Sequence, residues 1–277
     1  MNRPDFGRFV QLLAREQFRL AEACLLIAQD AYPGLDVDAY LGRIERMAEQ
    51  VRARIPADAF AEQRVAALNH YLFEDLGLSG NAGDYYDPRN SYLNEVIDRR
   101  RGIPITLSVL YIEVGRRIGL ALQGVSFPGH FLVSLKVRRG RLVIDPFSGG
   151  EPVGEVELRE RLRPVLPAGQ AVDSIEPWIQ PATPRQIIAR VLRNLKSIYL
   201  ERRELERALA VMNRTVMVHP ESGEALRDRG LAYQALDCFR PALADLQGYL
   251  RRVPDAPDAL EIRARLVELR RAADRLN

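Results

Sequence analysis

A chain of 277 residues is long enough for one or two domains with buried cores. With 47% hydrophobic and 28% charged residues it reads as ordinary globular protein, which excludes a wholly disordered or membrane-embedded molecule. The formal charge is only +3, and the cations, nearly all arginines, alternate with Asp and Glu instead of forming one stripe, which argues against nucleic acid as a partner.

Positions 1–80 are helical in pattern. Phe9, Leu12, Leu13, Phe18, Ala21, Leu25 and Ala28 recur at near-helical spacing, and Tyr32-Pro33-Gly34 stops the run. A second helix is predicted after Asp36, burying Val37, Leu41, Ile44, Met47, Ala48 and Val51 before Pro56. A third starts near Asp58, carries Phe60, Val65, Leu68, Leu72 and Leu76, and ends at Gly77. Three such helices on short loops can pack as a bundle.

Residues 79–90, rich in Gly, Asn, Asp and Ser, predict a loop. Asn90 or Ser91 is then placed to cap a helix running to about Arg100. Gly102 breaks the chain, and Pro104 suits the first turn of a helix, where a missing N–H costs nothing. That helix runs through Leu107, Leu110, Val114 and Ile118 to Gly119.

Strand-like stretches follow at Leu122–Phe127, Phe131–Val137 and Arg141–Ile144, separated by Pro128-Gly129 and Arg139-Gly140. The last two predict an antiparallel hairpin. From 148 to 184 an irregular wrap and linker are expected, with one short helix near Val156–Arg161.

The C-terminal third carries an internal period. Leu192, Leu226 and Leu260 are evenly spaced, and the same interval separates Tyr199 from Tyr233, Ala208 from Ala242, Leu209 from Leu243, and Pro220 from Pro254. That interval, about 34 residues, is one helix-turn-helix unit of the tetratricopeptide type. Two units are predicted, about 189–222 and 223–256, with a closing helix to Asn277. Gly230 takes the small position of the second unit; the first has Lys196 there. Such a short array serves equally to pack on the rest of the chain or to bind a partner.

The longest apolar run of the first half, Ala23 to Ala28, is far too short to span a bilayer. Asp5, Arg8, Arg15 and Glu16 interrupt any leader pattern, so a cytoplasmic protein without a membrane anchor is expected. Cys24 and Cys238 lie near opposite ends of the chain, and the three histidines, His70, His130 and His219, are scattered; no disulfide, metal or cofactor is expected. Cys24 reads as a small core residue, and Cys238 as a structural residue at a repeat turn with no evident base.

The chemistry concentrates between Asn90 and Phe147. His130 opens one strand and Asp145 closes the next, so the two approach in a hairpin, and Asp145 is placed to orient the imidazole. The helix start at Gly102 to Thr106 offers N–H groups to an anion or oxyanion. Asn94 and Glu95, about ten residues ahead, line the same cleft or lie on a solvated helix face. Thr106 and Ser108, in the first turns of the helix, are the hydroxyls available as nucleophiles, though such residues commonly bond back to the helix.

This order of helix start, His strand and Asp-Pro strand resembles the transglutaminase-like fold of papain-type Cys-His-Asp enzymes. The phrases Arg101-Gly102-Ile103-Pro104-Ile105, Pro128-Gly129-His130-Phe131 and Asp145-Pro146-Phe147 resemble more closely the bacterial SirB-type family, which joins such a core to tetratricopeptide repeats. The resemblance implies an α+β fold: an N-terminal helical region over 1–80, a transglutaminase-like core with a small antiparallel sheet over 81–165, a linker over 166–186 and all-α repeats over 187–277. In the papain-type transglutaminase-like enzymes a Cys opens the helix and a Gly closes it fifteen residues later. Counting back from Gly119 lands on Pro104.

Two functions follow. In the first, the chain is a non-catalytic protein- or peptide-binding scaffold that uses a degenerate cleft, lined by Asn94, Glu95, Gly102, Pro104 and Gly129, together with its repeats. In the second it is an amide-bond hydrolase or acyl transferase, with His130 as base, Asp145 as orienter, and Thr106, Ser108 or water attacking. A neutral hydroxyl is a far weaker nucleophile than a thiolate unless its base is tightly placed.

Overall fold

The computed structural model describes residues 6–138, 140–166 and 172–274. The fold is α+β, a helical and sheet-bearing region followed by helical repeats, and the chain divides into two compact units, Met1–Val191 and Leu192–Asn277.

The first unit is built around one buried helix. The expected first helix is in fact two, α1 (Phe6–Leu13) and α2 (Leu20–Ala28). The break is stabilised from far away: Glu113, 1% exposed, accepts from the Leu20 N–H at 2.7 Å and the Ala21 N–H at 3.3 Å, satisfying donors that α2 leaves open at its start. Helix α3 (Val37–Arg52) begins as predicted, with the Asp36 side chain accepting from the Ala39 N–H at 2.9 Å. Helix α4 (Ala61–Asn69) continues into a wider π-helical turn, His70–Asp75, and Gly77 ends it at φ +67°.

Strand β1 (Ser79–Gly80) pairs in parallel with β2 (Arg101–Gly102), which places Gly80 beside Gly102. Between them lies α5 (Leu93–Arg99). Its expected caps do not cap it, since Tyr92 holds that position. Asn90 instead ties the preceding loop: its Nδ2 donates to the Asp84 carbonyl at 2.6 Å, and its Oδ1 accepts from Asn81 Nδ2 at 3.1 Å. Helix α6 (Pro104–Arg117) starts on Pro104, and every residue from Pro104 to Gly115 is buried. A helix surrounded in this way forms the centre of a domain. It packs against α2, α3, α4 and α5.

Strands β3 (Gln123–Val125), β4 (Leu132–Val137), β5 (Gly140–Asp145) and β6 (Glu151–Pro152) form an antiparallel sheet in that order, with Val133 opposite Ile144 and Leu135 opposite Leu142. The hairpin is as predicted, although Arg139 of its turn lies outside the described residues. One side of the sheet meets α6. On the other, Val125, Phe127, Leu132 and Val143 are covered by Leu158 and Leu162 of α7 (Glu155–Leu162) and by Ile175 and Ile179. The segment leading to α8 (Pro184–Glu201) straps the free border of β3: Pro181 bridges Val125, and the Ala182 N–H donates to the Gly124 carbonyl at 2.8 Å.

The second unit contains the end of α8, α9 (Leu205–Val218), α10 (Gly223–Ala235), α11 (Phe239–Arg252) and α12 (Ala259–Asp274). The period seen in sequence reappears in the backbone. Arg203 and Asp237, one repeat apart, turn the chain at φ 59° and 54°, and the helix ends at His219 and Val253 share φ near −132° and −131°. Ala208 and Ala242 are wholly buried, and a side chain at Gly230 would meet Leu246 at 2.9 Å, which explains the small residue there. Lys196, at the same place in the first unit of the repeat, turns its amine to Asp228 at 2.6 Å instead.

Candidate functional site

A tight turn delivers His130. Gly129 lies at φ +70°, where glycine carries no steric penalty, and the His130 N–H donates to the Phe127 carbonyl at 3.1 Å. Asp145 ends β5 and caps the short 3-10 turn Pro146–Ser148, its Oδ1 accepting from the Phe147 N–H at 3.1 Å. The two side chains meet, with His130 Nε2 2.9 Å from Asp145 Oδ1. An ionised carboxylate only accepts, so the neutral ring carries its proton on Nε2 and leaves the Nδ1 lone pair for a ligand or a proton.

Asp145 is 1% exposed, and its second oxygen is also occupied. Ser148 Oγ donates to it at 3.1 Å, and Arg161 of α7 donates at 2.9 Å. Burial alone would push this carboxyl up; the hydrogen bond and charge of His130, then those of Arg161, outweigh it and hold the group at about 2. Sequence reasoning missed Arg161. Its setting, the last turn of a short charged helix, gives no sign of a carboxylate partner sixteen residues upstream.

Phe147 connects this pair to the helix start. Its ring stands edge-on to His130, centroids 5.9 Å apart, and its other flank fills the space over Gly80, where an added side-chain carbon would lie 2.6 Å from the ring. Gly80 pairs with Gly102, two residues before Pro104, and the turn carrying Phe147 packs on α6. Tyr85 approaches Phe147 at 6.4 Å and Tyr86 at 5.4 Å from Tyr85, with Tyr86 65% exposed. These rings also escaped sequence reasoning, because a polar loop gave no reason to expect an aromatic ledge.

The remaining candidates divide by contact. Pro104 is buried at the head of α6. Thr106, wholly buried, donates to the Asn90 carbonyl at 2.7 Å and accepts from the Ile103 N–H at 3.2 Å, closing the helix start upon itself. Ser108 is wholly buried, and its hydroxyl meets no partner among the described residues. Asn94 is buried with its Oδ1 likewise unsatisfied, whereas Glu95 is half-buried. A side chain at Gly102 would meet Thr106 Oγ1 at 2.9 Å, so the close approach there requires glycine. Gly129 is exposed.

Cys24 lies in the core, where burial and then the charge of Glu113 push its thiol up, and Cys238 is exposed at the start of α11. Among the described residues no three His, Cys, Asp or Glu side chains gather as a metal site requires, and no helix is long and apolar enough to cross a membrane.

Residues 38–193 match a family described as the transglutaminase-like superfamily, and residues 195–267 match one described as the tetratricopeptide repeat. A UPF0162 protein of Xylella fastidiosa is 46% identical over 256 residues, covering 92% of this chain and 91% of its own. The UPF0162 protein YchA of Escherichia coli is 28% identical over 88% of each chain. Protein SirB1 of Salmonella typhimurium is 26% identical over 80% of this chain and 82% of its own.

Proposed function

The chain belongs to the transglutaminase-like superfamily, in the SirB-type family that adds tetratricopeptide repeats, and from that premise we propose that it is a non-catalytic protein- or peptide-binding scaffold. The observation that carries this reading is the head of α6. Pro104 begins α6, at the place where the resemblance implies a papain-type thiol, and Thr106, two residues on, is spent on the backbone at Asn90 and Ile103. A base without a nucleophile does little acyl-transfer chemistry. What remains is a shaped surface: the Nδ1 edge of His130 beside Phe147, Tyr85 and Tyr86. Exposed aromatic rings on a hydrogen-bonded loop are good anchors for a partner.

The repeats support the same reading. On the closing helix α12, Leu260 is 79% exposed and Val267 48% exposed, with exposed Ala264 between them on one face. Terminal helices of repeat arrays ordinarily present a polar outer face. An apolar stripe there is suited to a partner.

The test is partner capture with the full chain beside His130→Ala and the double variant Leu260→Asp/Val267→Asp. Loss of a specific partner with either variant supports the reading, and retention of every interaction by both ends it. The 2.9 Å His130–Asp145 contact favours a second reading, amide-bond hydrolysis or acyl transfer, in which Nδ1 takes the proton of an attacking water or hydroxyl. Turnover of a peptide amide that vanishes in His130→Ala would establish it. We place this protein in the cytoplasm, with a protein or peptide as its partner and no cofactor.

A further inference from the structure

Away from the His130–Asp145 pair, the first unit holds two adjoining hollows that share Gln17 and Arg116. The larger, about 520 Å³, is floored by Leu20, Ile112, Leu122 and Ile187 and walled by the Pro181–Pro184 strap. The smaller, about 370 Å³, is lined by Arg15, Arg19 and Arg116, with Glu22 as its one acid. Hollows of this size accommodate small-molecule ligands.

The charge in the smaller hollow is unbalanced. Two neighbouring arginines are matched to acids: Arg117 meets Glu113 at 2.7 Å, and Arg8 meets Glu22 itself at 2.8 Å and also Asp38. Glu22 is therefore already engaged. Arg15, Arg19 and Arg116 make no side-chain hydrogen bond or ion pair among the described residues. Glu113, beneath them, is closed off by the Leu20 and Ala21 N–H groups and by Arg117. Three guanidiniums thus surround a space from which the nearby carboxylates are withdrawn. Like charges so gathered repel one another, and an anion relieves that repulsion.

We propose that this double hollow binds a small organic phosphate monoester. A phosphate monoester carries about two negative charges near neutral pH and three acceptor oxygens, and guanidinium forks match it bidentately. The phosphate sits among Arg15, Arg19 and Arg116. The uncharged body of the molecule extends past Gln17 into the larger hollow, over Leu122 and beneath Ala182.

The experiment uses the full chain and phenyl phosphate as probe, in calorimetric titration at low ionic strength, with inorganic phosphate, phenol and phosphatidic-acid vesicles as parallel arms. One phenyl phosphate is expected to bind per chain, more weakly as salt rises, because exposed charges are screened within about 10 Å at 0.1 M. Phenol should not bind. Arg116→Gln should weaken binding about tenfold, the usual loss for one charge-assisted hydrogen bond. Ala182→Leu should weaken phenyl phosphate while leaving inorganic phosphate unchanged. All these positions are at or near the surface, and unchanged thermal unfolding of each variant excludes misfolding as the cause. The proposal is overturned if phenyl phosphate does not bind at millimolar concentration. It is equally overturned if Arg116→Gln binds as well as the parent, if Ala182→Leu leaves phenyl phosphate untouched, or if only the vesicles bind.

Discussion

Arg161 donates to Asp145 at 2.9 Å from a helix on the outer side of the sheet, so one buried carboxylate joins three separate pieces of chain: the His130 turn, the end of β5 and α7. With four donors on its two oxygens, Asp145 is a structural fastening. Removing the guanidinium leaves a buried charge short of a partner. Arg161→Ala is expected to destabilise the chain by about 1–3 kcal/mol, seen as a lower urea midpoint. Arg161→Lys should recover part of the loss.

The same group makes stability depend on acid. Its folded pKa, about 2, lies below the value near 3.9 of an unfolded aspartate. A depressed carboxyl contributes stability that is complete above the unfolded value and is lost as pH falls toward the folded one. Denaturant midpoints should therefore drop between about pH 4 and pH 2. In Asp145→Asn that part of the drop should be missing, on a curve already lower at neutral pH. Parallel curves for the two proteins would contradict this account.

Gly80 is expected to tolerate no side chain. A methyl group there would lie 2.6 Å from the Phe147 ring and 2.8 Å from its carbonyl oxygen, and a backbone atom cannot swing aside. Gly80→Ala should cost about 1–3 kcal/mol and displace the ring that flanks His130. Thermal unfolding reads the first effect, and a shift of the His130 imidazole resonances reads the second.

Thr106 separates structure from chemistry. Thr106→Val removes a hydroxyl that serves the Ile103 N–H and the Asn90 carbonyl, with an expected loss of about 1–2 kcal/mol. Thr106→Ser keeps both bonds and should restore most of that stability. Any amide-hydrolysing activity that tracked the hydroxyl rather than the fold would revive the nucleophile reading.

Much of this architecture was legible because it is local. Pro104 at a helix head, Gly77 and Gly119 at helix ends and the even spacing of the repeats are each set by a residue's own conformational limits. The His130–Asp145 encounter was also readable, since a hairpin brings its ends together. What sequence did not reveal depends on distant partners. The break between α1 and α2 rests on Glu113, far along the chain from Leu20. Asn90 gave up its expected capping role to hold Asp84 and Asn81. Arg161 and the Tyr85–Tyr86 ledge acquire meaning only once α7 and the loop have been folded against β5 and Phe147.

The strap over β3 has a consequence for concentrated solutions. Proline offers no N–H to a neighbouring strand, and the small sheet has one at either border, Pro181 laid along Val125 and Pro152 in β6. At those two positions a neighbouring molecule's backbone finds no N–H to pair with, which makes the borders poorer templates for strand addition between crowded copies.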